Sequence, residues 1–252
     1  LEIIYLCFFA FLAGFIDSIV GGGGLIQLPA LLIFLPGTPI PALLGTGKVS
    51  SLAGTSVAIL RYARNVAIPW PAVLPAALSA FAFSFLGARA VSLLNPALLR
   101  PLILVLLVGV FLYTLTKKDL GALHAPRLTG TAETGCALLV GTLIGFYDGF
   151  FGPGTGSFLI FAFVGLFGFN FLAASASAKT VNLATNLSAL LYFAATGNIL
   201  YRVALPMAAC SVIGSFAGTR LAIAKGSGFV RLLFLVVVSG IICKLAYDYF
   251  KG

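Results

Sequence analysis

Residues 14–24 read GFIDSIVGGGG, and 131 positions later residues 145–155 read GFYDGFFGPGT. With that one offset and no gap, Asp17 matches Asp148, Gly21 matches Gly152, Gly23 matches Gly154 and Lys48 matches Lys179. Leu60 and Leu191, Pro75 and Pro206, Gly87 and Gly218, Arg89 and Arg220, Arg100 and Arg231, and Gly109 and Gly240 stay in the same register. Chance does not hold a register over so many distinctive residues. The chain is therefore read as two copies of one unit, 1–117 and 131–252, joined by a loop at 118–130.

The composition around this duplication excludes a water-soluble fold. The 252 residues are 61% hydrophobic and 8% charged, with a mean hydropathy of +1.14. Soluble domains carry about 25% charged residues and about 45–50% apolar ones. So little charge cannot cover a surface in water, whereas 23 Phe suit a surface in lipid. The formal net charge of +9 is no nucleic-acid footprint, because of where the charges stand. Arg61, Arg64, Lys117, Lys118, Arg127, Arg202, Lys225 and Lys251 lie in or beside breaks between apolar runs, as juxtamembrane basic residues do. The lipid bilayer is the expected partner, nucleic acid is not, and the sequence leaves room for a homodimer. Cys7, Cys136, Cys210 and Cys243 stand singly in apolar runs and read as small hydrophobes. No cleavable signal pattern is expected, since the 3–16 run leads into Asp17 and glycines rather than a small-x-small site.

Each copy divides into apolar runs separated by Gly, Pro or charge. The first has runs near 3–20, 24–35, 42–60, 69–94 and 98–116, the second near 131–151, 155–168, 171–194, 203–224 and 229–249. A spanning helix needs about 20 residues. The second run of each copy, around 25–35 and 157–167, is too short. Both follow a glycine cluster and stop at LPGTPIP (35–41) or GLFGFN (165–170). The expected fold is an all-α polytopic membrane protein of two homologous repeats with Gly-rich broken or re-entrant helices. Five crossings per copy would make the repeats inverted and four would make them parallel. The loop charges fit both.

Ionisable residues within the runs point to the chemistry. Asp17 and Asp148 are the acidic residues away from termini and loops, and Lys48 and Lys179 are the basic ones well inside apolar runs. Counting from Ala42, Lys48 lies about 9 Å into its helix. A charge at that depth costs at least about 2.5–3.5 kcal/mol, so it must face a cavity or a partner. Lys48, Ser51 and Thr55 are spaced i, i+3, i+7, as are Lys179, Asn182 and Asn186, which puts each set on one helical stripe. An ammonium with hydroxyl or amide groups beside it suits an oxyanion.

The glycine clusters at Gly21, Gly22, Gly23 and at Gly152, Gly154 would open the short helices. Helix N-termini favour anions, and Gln27, Thr155 and Ser157 stand close by in sequence. Two readings stay open for the lysines: they bind a substrate anion, or they pair with Asp17 and Asp148 as structural ion pairs. The aspartates are candidates for a structural role or for coupling to a proton or cation. The glycines also suit close helix packing.

Enzyme motifs fail. In GTGKVS (45–50) Ala42 stands where a phosphate loop needs its first glycine, and Val49 where it needs Ser or Thr. Ile26 replaces the third glycine of a dinucleotide fingerprint, and one His, His124, leaves no zinc motif or Ser-His-Asp set. No catalytic residue, metal site or cofactor is expected, and no ATP-binding motif is present.

GFIDSIVGGGGLIQLPALL followed by GTGK resembles the opening of the TauE/SafE sulfite exporter family, also called the toluene sulfonate uptake permease family. GFYDGFFGPGTGSFLI followed by SASAKTVNLATNLSALLYF is similar to its second repeat, and the resemblance covers essentially the whole chain. It implies a multi-pass permease of the cell inner membrane for small sulfur-containing anions, sulfite or organosulfonates such as sulfoacetate. The expectation is a secondary transporter working in export by alternating access, with an anion channel or a permease for another small organic anion as alternatives. Family members often read GTNK where this chain has Gly47 before Lys48.

Overall fold

The computed structural model describes residues 2–91 and 125–251, with the backbone alone over 241–242 and 244–251. The 98–116 run, the copy boundary at 117, residues 118–124 with His124, and the partners of Arg231 and Gly240 in the offset lie outside the described residues. Every described element is a helix: α1 (Glu2–Val20), α2 (Gly24–Phe34), α3 (Ile40–Asn65), α4 (Trp70–Ala90), α5 (Gly130–Phe150), α6 (Thr155–Gly165), α7 (Phe171–Ala195) and α8 (Tyr201–Lys251). The last is interrupted at Gly226 (φ 73°, ψ −171°), between the two apolar runs read there. Among the described residues four helices are long and apolar enough to cross a membrane: Glu2–Val20, Ile40–Asn65, Trp70–Ala90 and the Tyr201–Gly240 part of α8.

Polarity is arranged inside out. On α4, Leu74, Leu78, Phe81 and Phe85 form an exposed stripe at helical spacing, while Ala72, Ala76, Ala80 and Ser84 of the opposite stripe are buried. Leu138, Leu143, Leu191, Leu205, Ile213 and Leu232 are likewise exposed, and Lys48, Lys179, Asp148, Asn182 and Asn186 are buried. Burying charge while exposing leucine would be unfavourable in water and is favourable in a bilayer. These observations fit a polytopic membrane protein.

Small residues let the helices meet at backbone distance. Gly141, Gly145 and Gly149 on α5 recur every fourth residue and pack on Ala76, Ala80 and Ser84 of α4, where a Cβ would strike the facing backbone. Gly214 and Gly218 of α8 lie against the backbone at Phe11 and Phe15 of α1 in the same manner. Small residues spaced by four are how membrane helices gain close contact without a hydrophobic drive. The pairs α4–α5 and α1–α8 make the most extensive contacts, and α3, α7 and the two short helices sit among them.

The short helices have 11 residues each. That is about 16 Å, half of a hydrocarbon core of about 30 Å. Glycine permits the breaks before them: Gly21 and Gly152 have φ of 78° and 89°, in the left-handed region that side chains avoid. Beyond α6, the Arg127 guanidinium donates to Gly165 O at 2.9 Å, satisfying a helix-end carbonyl. Asn170 opens α7 by accepting from Ala173 N at 2.8 Å.

Candidate functional site

Lys48 and Lys179 each lie eight residues after the first residue of their helices, α3 and α7. That is about 12 Å from the helix start. Neither reaches the aspartate in its own half of the sequence. Lys48 Nζ donates to Asp148 Oδ2 at 2.6 Å and to Asn186 Oδ1 at 3.1 Å, whereas Lys179 Nζ donates to Asp17 Oδ2 at 2.7 Å. The two ion pairs cross between the halves of the sequence.

The glycine breaks bring the aspartates to the lysines. Asp17 lies in the last turn of α1 and its Oδ1 accepts the Gly23 N–H at 3.2 Å, across the break. A side chain on Gly21 would collide with the backbone of Gly156 and Ser157, so the α1–α2 break and the start of α6 touch each other. Ser157 Oγ donates to Val20 O at 2.9 Å and Thr155 Oγ1 to Gly152 O at 2.6 Å. No side chain caps the start of α2 or α6.

A cavity of about 60 Å³ opens where these elements converge. A single water needs about 10–15 Å³ on this measure, so there is room for several waters or one small oxyanion. Its wall includes Asp17, Gly21 and Gly24 from the first break, Gln27 from α2, and Gly47, Lys48 and Ser51 from α3. Asp148, Gly152, Thr155 and Gly156 come from the second break and α6, and Asn182 and Asn186 from α7. Asn182 Oδ1 is buried with no partner, and an orphaned buried acceptor is expensive to keep. It marks a place where a ligand or water belongs.

The remaining residues singled out in the sequence lie elsewhere. Lys179 is fully buried against Asp17 and is not on this wall. Thr55 stands seven residues beyond Lys48, about 10 Å along the helix. It lines a second cavity of about 10 Å³ with Asp17, Gly23, Gln27, Ser51, Ser211 and Ser215. Gly22, Gly154 and Ser157 line neither. Gly24, the end of the first glycine break, and Gly47, where family members often carry Asn, both line the larger wall. Sequence reasoning missed Gly156 on that wall and Ser211 and Ser215 on the smaller. Gly156 lies just past the second glycine cluster, so widening that cluster would have found it. Ser211 and Ser215 belong to α8, and no local motif ties them to Asp17.

The Lys48–Asp148 pair is nearly buried, with 8% and 6% of the two side chains exposed, and both residues line the cavity. Removing either partner of such a buried pair costs about 3–5 kcal/mol, because the other charge is stranded. Lys48 and the Asn182 and Asn186 amides stand with the break glycines on one cavity wall, and charged or amide donors of this kind suit an oxyanion.

The profile of the family described as "Sulfite exporter TauE/SafE" matches residues 6–245. The chain is 39% identical over 240 residues to "Probable membrane transporter protein ORF9" of Sinorhizobium sp., covering 95% of this chain and 90% of that one. It is 35% identical over 238 residues to a "Probable membrane transporter protein" of Haemophilus influenzae, covering 94% and 92%. It is also 35% identical over 243 residues to "Probable membrane transporter protein YfcA" of Escherichia coli strain K12, covering 96% and 89%. No solved structure matches the chain significantly. With a family match across almost its whole length and these relatives matched nearly end to end, the chain belongs to the TauE/SafE sulfite exporter family.

Proposed function

We propose that this protein is a secondary transporter that carries small sulfur-containing anions, sulfite or an organosulfonate such as sulfoacetate, out across the cell inner membrane by alternating access. The observation that carries the reading is the Lys48–Asp148 pair at the wall of a polar cavity buried among apolar helices. A buried charged cavity in a membrane protein serves a solute pathway far more readily than it serves stability. Lys48 supplies charge; Ser51, Asn182, Asn186 and Thr155 supply polar groups; Gly21, Gly152 and their neighbours supply backbone N–H groups. The membrane match of the names "Probable membrane transporter protein" supports transport, and the family description supports a sulfur oxyanion.

The offset of 131 residues in the sequence supports one membrane domain of two repeats. The matched contacts support it too, since Gly87 packs on the Phe146 backbone and Gly218 on that of Phe15, and the 131-residue offset relates Gly87 to Gly218 and Phe15 to Phe146. In this reading α2 and α6 are re-entrant or broken halves that meet at the cavity, and the repeats rock about the crossed ion pairs. An inside-negative potential favours anion exit by about 2.3 kcal/mol per charge per 100 mV, so no chemical energy source is required.

The test is sulfite efflux from proteoliposomes holding the purified protein. Saturable efflux accelerated by external unlabelled sulfite is expected. Non-saturating flux without exchange would mark a channel, and flux equal to that of empty liposomes would overturn the reading.

A further inference from the structure

The formal charges of Lys48, Lys179, Asp17 and Asp148 sum to zero, and among the described residues no other charged side chain lines either cavity. The one lysine on the wall of the larger cavity, Lys48, is already matched by Asp148. An added positive charge nearby would favour an anion there.

The second cavity is where a positive charge fits. At about 10 Å³ it is the size of a single small occupant. Its polar wall holds the Asp17 carboxylate, which also pairs with Lys179, the hydroxyls of Ser51, Thr55, Ser211 and Ser215, and the Gln27 amide. Thr55 is 2% exposed, and its Oγ1 is buried with no hydrogen-bond partner. Ser215 Oγ donates its proton to Gly14 O at 3.1 Å, which leaves its lone pairs for an acceptor's role. Hard cations take oxygen ligands, and carboxylate, hydroxyl and amide oxygens are the acceptors this wall offers. Among the described residues no group of three or more His, Cys, Asp or Glu exists to hold a higher charge.

We propose that this cavity is a binding site for a monovalent alkali cation of sodium's size, and that the bound cation gives the neighbouring anion cavity its net positive charge. The second half of the statement rests on the anion reading above. Asp17, Gln27 and Ser51 line both cavities, so one wall of side chains separates the two ions. Asp17 Oδ2 is held by Lys179 at 2.7 Å and Oδ1 by the Gly23 N–H at 3.2 Å, so the carboxylate would be shared between the lysine and the cation. The offset does not repeat this hydroxyl set: Ser51, Thr55 and Ser211 match Asn182, Asn186 and Ala80, and only Ser215 keeps its hydroxyl, as Ser84. Asn186 there reaches Lys48 instead.

The experiment is thermal unfolding of the purified full-length chain at constant ionic strength in sodium, potassium or choline chloride, without and with sulfite. Sodium should raise Tm saturably over choline in the wild type. Thr55→Val, which replaces an orphaned hydroxyl by a methyl, should fold at least as well in choline and lose most of the sodium shift; Ser211→Ala should weaken it severalfold. Equal Tm in sodium, potassium and choline would overturn the site. A sodium shift with sulfite affinity identical in all three salts would overturn the charge role. A sodium shift with no sulfite binding in any salt would leave the cation site standing and contradict the anion reading.

Discussion

Lys48 lines the larger cavity and Lys179 does not, so the proposed exchange of a carboxylate for an anion concerns Lys48 alone. Lys48→Met should strand Asp148 and destabilise the protein by about 3–5 kcal/mol. Lys48→Met combined with Asp148→Asn removes both charges and should recover most of that loss, while sulfite efflux stays abolished. Unfolding midpoints and proteoliposome flux measured on the same two variants check this, and normal flux from the double variant would remove Lys48 from the pathway. One residue earlier, Gly47 lines the cavity, and a Cβ there would meet Leu31 Cδ1 at 3.6 Å and Gln27 Nε2 at 3.9 Å, ordinary contact. Gly47→Asn should therefore fold, place an amide in the cavity and shift preference from larger organosulfonates toward sulfite. Competition of sulfoacetate against sulfite flux measures the shift. The lysines and aspartates were legible in the sequence because a charge amid apolar residues has few excuses. Which aspartate meets which lysine was not legible, since within-copy and crossed pairing both obey the same register.

At the scale of elements, the glycines fall into two classes with different consequences. Gly145 on α5 lies against the Ala80 backbone of α4, and Gly135, at the exposed start of the same helix, has open space around it. Gly145→Leu should force α4 and α5 apart and lower stability by at least about 1–3 kcal/mol, whereas Gly135→Ala should be neutral. Thermal unfolding in detergent distinguishes them. Gly152 has φ 89° for a different reason, to turn the chain from α5 toward α6 beside Lys48. Gly152→Ala should cost about 1–2 kcal/mol through backbone strain and reduce flux by moving Asp148. The short helices could be read from sequence because glycine clusters and turn residues bracket runs too short to span. The helix pairing α4–α5 and α1–α8 could not, because small residues every fourth position fit any partner helix.

For the whole molecule, the pattern of buried charge and exposed leucine follows from lipid replacing water as the outer solvent. Composition alone made that legible. The cavities were not, because each is enclosed by side chains from both halves: Lys48 from α3, Asp148 from the α5–α6 break, Asn186 from α7 and Ser211 from α8. Stripes on one helix, such as Lys48, Ser51 and Thr55, spread over two cavities once the neighbours are in place. The two ion pairs cross between the halves of the sequence, and in the proposed mechanism exchange of Asp148 for an anion at Lys48 is the step that lets the halves move. An experimental structure determined in saturating sulfite tests this step most directly. The account predicts anion density within hydrogen-bond distance of Lys48 Nζ, beside Asn182 and Asn186, with the Asp148 carboxylate moved off the ammonium. An unaltered 2.6 Å Lys48–Asp148 contact, with sulfite bound elsewhere, would contradict it.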